Sequence, residues 1–163
     1  MKKIALLILM CFLLSSCESS YDQVQILLKN NSSETMYVSL YPKKEYMQGN
    51  LYSFSSIGSG YRETIFIIDS GMEQDLYTTD DLDIKPYVLA SLVFDSIHIA
   101  LTDLSNPEVK FSADKVIGYS ENLYSENSSW IYEKQNYDEP DMFHRTTVHS
   151  SNYAFIISPG KKK

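Results

Sequence analysis

The chain has 163 residues, enough for one domain with a real core and short for two. Apolar residues make up 44% and charged residues 21%, ordinary globular values that exclude a disordered chain, a collagen, a coiled coil and a polytopic membrane protein. With 14 basic against 21 acidic residues the formal net charge is -7, which argues against a nucleic-acid partner, because a phosphate backbone is held chiefly by clustered Lys and Arg.

The chain opens on a basic Met1-Lys2-Lys3, followed by an apolar run from Ile4 to Leu14. Such a run, as helix, rises about 16 Å against a hydrocarbon core of about 30 Å, so it reads as the apolar stretch of a signal peptide and not as a membrane span. Leu14-Ser15-Ser16-Cys17 comes next. This resembles the lipobox of bacterial lipoproteins: an apolar residue, two small residues suited to a peptidase cleft, and a Cys whose thiol accepts diacylglycerol before cleavage. The resemblance implies a signal peptide over 1–16, a lipid anchor (palmitate among its acyl chains) on Cys17, and a short polar tether over 17–22. In the lipoprotein pattern Glu18, where inner-membrane proteins often carry Asp, leans toward the outer membrane.

The cysteines agree with this division. Of the 2 Cys in the chain, Cys11 leaves with the signal and Cys17 is lipidated, so the mature domain is expected to hold no thiol, disulfide or Cys-type zinc site. Losing Lys2 and Lys3 leaves 12 basic residues against 21 acidic, so a basic patch is not expected to dock the protein on anionic lipid. The acyl chains are left to hold it.

From residue 23 the pattern is β. Val24, Ile26 and Leu28 alternate with polar residues, Asn30 to Ser33 gives turn chemistry, and Met36, Val38 and Leu40 alternate up to Pro42, which together predict a hairpin. Further strands are expected at Tyr52–Phe54, Glu63–Ile68, Ile97–Leu101, Val109–Phe111, Lys115–Tyr119 and Tyr153–Ile157, with turns at Gly58-Ser59-Gly60, Asp69-Ser70-Gly71 and Pro159-Gly160. Pro86 to Phe94 is apolar on all sides; it is read as one short buried helix, with a strand as the alternative. Glu121–Ser129 and Gln135–Asp141 are expected to be loops, pinned by a strand fragment at Trp130-Ile131-Tyr132. The sum is an all-β domain over 23–158, an antiparallel two-sheet sandwich, immunoglobulin-like or another Greek key, followed by a basic tail over 159–163.

Catalytic constellations are sparse. His144 and His149 stand five apart, which fits neither one helical face nor one strand face, and with Asp141 they match no known metal spacing, so no metal or cofactor is expected. His98, opposite Ile97 and Ile99 on its strand, is expected at the surface. Gly58-Ser59-Gly60 has the wrong spacing for a nucleophile elbow, and no phosphate-binding glycine loop is present. The carboxylates at Asp80, Asp81, Asp83 and at Asp138, Glu139, Asp141 stand in polar surroundings and read as solvated loops.

Tyr carries the most functional content: there are 13, with 7 Phe and 1 Trp. Rigid rings with a polar tip suit protein or glycan contact, and Tyr119, Tyr124, Trp130, Tyr132 and Tyr137 are the candidate binding residues. The opening Asn30-Asn31-Ser32-Ser33-Glu34-Thr35-Met36-Tyr37-Val38, with Asp95-Ser96-Ile97-His98-Ile99 and Asn152-Tyr153-Ala154-Phe155-Ile156-Ile157, is similar to small lipoproteins of Bacteroides-type bacteria. That resemblance implies location and a sandwich, and Asp95-Ser96-Ile97 is similar to their glycosylation triplet. The expectation is a non-catalytic, membrane-tethered binding module that contacts envelope proteins or glycan. Its rival is a small glycan hydrolase using loop carboxylates such as Asp138 or Asp141.

Overall fold

The computed structural model describes residues 19–43, 65–101, 107–140 and 145–161. These form β1 (Ser19–Asn30), β2 (Met36–Pro42), β3 (Ile65–Ile68), β4 (Glu73–Thr79), helix α1 (Pro86–Val93), β5 (Phe94–Ala100), β6 (Val109–Ser112), β7 (Val116–Ile117), β8 (Trp130–Pro140) and β9 (Arg145–Ile157), then a 3-10 turn at Pro159–Lys161. The strands make two sheets, ordered β4-β1-β9-β8 and β3-β2-β5-β6-β7. The described residues form a β-sandwich with one short helix.

Alternation decides which side of each strand is covered. Val24, Ile26 and Leu28 from β1 meet Met36, Val38 and Leu40 from β2 and Ile97 and Ile99 from β5, all buried in one core. At its centre Phe155 packs edge-on against Phe111, with ring centroids 5.5 Å apart, and Trp130 closes on Phe155 at 5.4 Å. Helix α1 starts on Pro86, where a missing N–H costs nothing, and buries Pro86, Leu89, Ala90 and Val93, one stripe at i, i+3, i+4 and i+7. Phe94, whose N–H still bonds Ala90, turns the chain straight into β5.

The expected hairpin at Asn30–Ser33 is a turn between sheets. β1 lies in the four-stranded sheet and β2 in the five-stranded one, so the chain crosses the sandwich there. Asn30 fixes the crossing from a fully buried position. Its amide nitrogen donates to the carbonyls of Glu34 (2.7 Å) and Ile68 (2.9 Å), and its oxygen accepts from the Ser32 N–H (2.9 Å) and hydroxyl (2.6 Å). Periodicity says which side of a strand faces the core; it does not say to which sheet the strand belongs.

Three other expectations change. β4 was not foreseen: Glu73 to Thr79 places its only apolar residues, Leu76 and Tyr77, side by side, where the register with β1 shifts between Ile26 and Leu27. The stretch from Gln135, expected as a loop, is strand β8 as far as Pro140, paired throughout with β9. Pairing also starts at Ser19, inside the expected tether, where β1 runs parallel to β9 over the full length from Ser19↔Thr146 to Asn30↔Ile157. Every other pairing is antiparallel. The expected strand at 52–54 and the turn at 58–60 lie outside the described residues.

Candidate functional site

β4 joins β1 only from Val24 onward, so beyond that row β1, β9 and β8 continue as a three-stranded blade. Its two faces differ. On the face that continues the core side, the register aligns Asp22, His149 and Asn136 in one row and Val24, Ser151 and Lys134 in the next. On this face Val24 is buried, while Asp22, Lys134, Asn136 and His149 are exposed. They line an open depression of about 430 Å³ together with Ser151 and Leu82.

Within it, His149 Nδ1 lies 2.9 Å from the Asn136 Oδ1. The contact ties the ring to the amide and holds the imidazole at the edge of the depression. At its border the Tyr132 hydroxyl lies 3.4 Å from the Ser151 hydroxyl, and the Tyr132 ring packs on Tyr153 with centroids 5.0 Å apart.

The opposite face carries Tyr21, Val148 and Tyr137 in one row. Both tyrosines are exposed while Val148 between them is fully covered. Gln23, itself buried, donates to the Tyr137 hydroxyl at 2.8 Å and reaches the Ser150 hydroxyl at 3.4 Å; the Ser150 hydroxyl lies 2.5 Å from Asn152 Oδ1 and 3.1 Å from Gln25 Oε1, with one hydrogen to give between them. This chain of amides and hydroxyls satisfies the polar groups that the blade buries. Burial is the first cause that raises both phenols, joined by the charge of Glu139; the bond from Gln23 partly offsets the rise at Tyr137.

The five residues expected to form a binding surface are not gathered into one. Tyr119 is in the core, its hydroxyl donating to the Ile156 carbonyl and accepting the Ser158 N–H, both at 3.0 Å. Tyr124 is buried with a hydroxyl that meets no partner, and burial raises its pKa, with Asp95 adding to the shift. Trp130 is half-buried against Phe155. Tyr132 and Tyr137 are exposed on β8, and their odd spacing places them on opposite faces. Tyr119 and Tyr124 therefore hold the fold together and offer no ring to a ligand. Sequence reading missed Tyr21, Asp22 and Gln23, which were assigned to the tether or its edge; the signal was there in the alternation of Tyr21 and Gln23 with Asp22 and Val24.

The other candidates fall as follows. His98 is half-buried on the outer side of the five-stranded sheet, 4.5 Å from the Tyr41 ring, and burial followed by the nearby Lys110 lowers its pKa. Ser96 sits mid-sheet between Tyr41 and Ser112, half-buried. Asp80, Asp81 and Asp83 lie in the exposed connection from β4 to α1. Asp138 and Glu139 are on β8 and not in a loop, and as strand neighbours they point to opposite faces, so they do not form a catalytic pair.

Cys17, Asp141 and His144 lie outside the described residues. Glu73 and Glu133 line one hollow, but its roughly 30 Å³ is about the volume of one water, and Glu73 pairs with Lys29 at 3.7 Å. Among the described residues no group of three His, Cys, Asp or Glu is placed to hold a metal ion, and no helix is long and apolar enough to cross a membrane. No protein-family model matches the chain, and neither does any curated protein or solved structure.

Proposed function

We propose that this chain is a lipid-anchored protein of the bacterial cell envelope, held at the outer membrane through Cys17, and that it acts without catalysis as a binding module for envelope proteins or glycan. The observation that carries this reading is the position of the blade. β1 is already paired at Ser19, two residues after Cys17, and two extended residues reach no more than about 7 Å. A lipid on Cys17 is then coupled to a stiff sheet and not to a loose leash, which fixes the distance of the blade from the bilayer. The blade in turn displays what a contact surface needs: exposed tyrosines held by buried hydrogen bonds on one side, and a polar depression on the other.

Two measurements test this. Palmitate labelling with membrane fractionation is expected to show label and membrane partition for the wild type, and neither for Cys17→Ala. Label that persists on the variant, or a wild type found wholly in the soluble fraction, refutes the anchor. Crosslinking in intact cells followed by co-purification, run beside a glycan array, is expected to retain a partner or a glycan. Retention of neither refutes the binding module, and turnover of a polysaccharide that is abolished by Asp141→Asn replaces it with the hydrolase.

A further inference from the structure

We infer that the depression on the blade is a glycan site, sized for a neutral hexose unit, in which Asp22, Asn136 and Lys134 bind hydroxyl groups and Tyr132 borders the sugar. This rests on the binding-module reading and names its ligand class.

The first support is unused bonding capacity. The side chains of Asp22 and Lys134 form no hydrogen bond or ion pair among the described residues, although they line the same depression. The contact between Asn136 Oδ1 and His149 Nδ1 occupies the amide oxygen and leaves the Asn136 NH₂ group as a donor. A carboxylate, an ammonium, an amide donor and an imidazole thus line one opening. Three strands hold them there in adjacent rows: Asp22, His149 and Asn136, then Ser151 and Lys134. Backbone pairing fixes these rows, so the groups are arranged before any ligand arrives.

The mixture of groups selects the ligand. A hydroxyl both donates and accepts, so vicinal hydroxyls on a pyranose can use a carboxylate and an amide or ammonium together; an anion uses only the donors. Phosphate or sulfate is disfavoured because one Lys faces Asp22 across the opening, in a chain of net charge -7. An apolar peptide side chain is disfavoured because, among the described residues, Leu82 is the only aliphatic group on the wall. What the apolar side does supply suits a sugar: the Tyr132 ring is 47% exposed and its hydroxyl meets Ser151 in the lining. A ring of this kind meets the C–H face of a pyranose while its rim hydroxyls turn to the polar row. The volume, about 430 Å³, falls in the range of roughly 300–1,000 Å³ for small-molecule sites.

The test uses the full chain in detergent, titrated with cellohexaose, maltohexaose and mannohexaose. Calorimetry is one readout; the emission of Trp130, the single Trp of the chain and two residues before Tyr132 on the same side of β8, is the other. Saturable binding of at least one hexasaccharide is expected. Asp22→Asn and Asn136→Ala, both at exposed positions, should each weaken it about tenfold, the size of one hydrogen bond to a charged or well-placed group. Glu133→Gln, on the opposite face of the same strand, should leave it unchanged.

Binding that stays within about twofold of wild type in both Asp22→Asn and Asn136→Ala overturns the site, as does the absence of binding by all three sugars. Failure here is separable from failure of the broader reading. A blade that captures an envelope protein in cells but binds no sugar leaves the binding module standing and removes only the glycan.

Discussion

The body of the sandwich and its blade are built from the same strands by opposite means. In the body, β1 and β9 bury Ile26, Leu28, Phe155 and Ile157 against a second sheet, and order comes from apolar packing. A few residues away on the same strands no second sheet lies among the described residues, and order comes from backbone pairing and from the row of side-chain bonds through Gln23, Ser150 and Asn152. A buried polar atom without a partner is costly, while a hydrogen-bonded ladder leaves its outer groups free for water or a ligand. The apolar end is therefore where stability lies, and the polar end is where recognition can be placed without harming the fold.

The sharpest way to break this contrast is to attack each half. Phe111→Ala removes a fully buried ring that touches both Tyr119 and Phe155 and should cost about 3–5 kcal/mol, enough to unfold a marginal domain; thermal melting by circular dichroism checks it. Gln23→Ala should cost less, about 1–2 kcal/mol, by freeing Tyr137 and Ser150. Its mark is local: amide exchange in 146–150 should speed up while the exchange of Phe155 and Ile157 in the body holds. A loss as large as that of Phe111→Ala would mean that the blade is part of the core and not an extension of it.

The smallest effect concerns the C-terminal turn. Lys161 Nζ lies 2.6 Å from Glu121 Oε1, and that bond is the main cause that holds the Glu121 carboxyl below its ordinary range and raises Lys161. A depressed carboxyl contributes stability that is present above its unfolded-state pKa and is lost as the pH falls through the folded one. Because both side chains are substantially open to solvent, the contribution should be under about 1 kcal/mol. Denaturant melts between neutral and acid pH should show a small loss in wild type that is absent from Glu121→Gln. Asp75 acts with the opposite sign, since burial, aided by Glu73, raises its pKa; protonating it on acidification offsets part of that loss.

How much was legible in the sequence follows the same division. Val24 to Leu28, Met36 to Leu40 and Ile97 to Ile99 announce their strands because every second residue is apolar and buried, and Pro86 with Leu89, Ala90 and Val93 marks the helix. On β8 the blade carries no such signal. Ile131 to Glu139 is exposed on both sides, so no alternation betrays a strand, and only pairing with β9 makes it one. The candidate site suffered for that reason: Tyr137 was noticed, but the partners that define its surroundings, Gln23 and Val148, come from strands at the two ends of the chain. Tyr119 and Tyr124 were misjudged because polar neighbours in sequence, such as Ser120 and Ser125, say nothing about where a ring points after the chain folds.

The parallel pairing of β1 with β9 also sets an order of events in time. Ser19 and Thr146, whose hydroxyls meet at 2.7 Å, are 127 positions apart in the chain. β2 can find β5, and β5 can find β6, as soon as those strands exist, whereas β1 waits for nearly the whole chain before it gains its longest neighbour. Contacts between such distant residues bear the largest loop-closure penalty and slow a fold down. A chain leaving a ribosome or a narrow pore amino end first would keep its leading segment unpaired until its last strand emerged. The N-terminal end of the four-stranded sheet is then the last part of the fold to close.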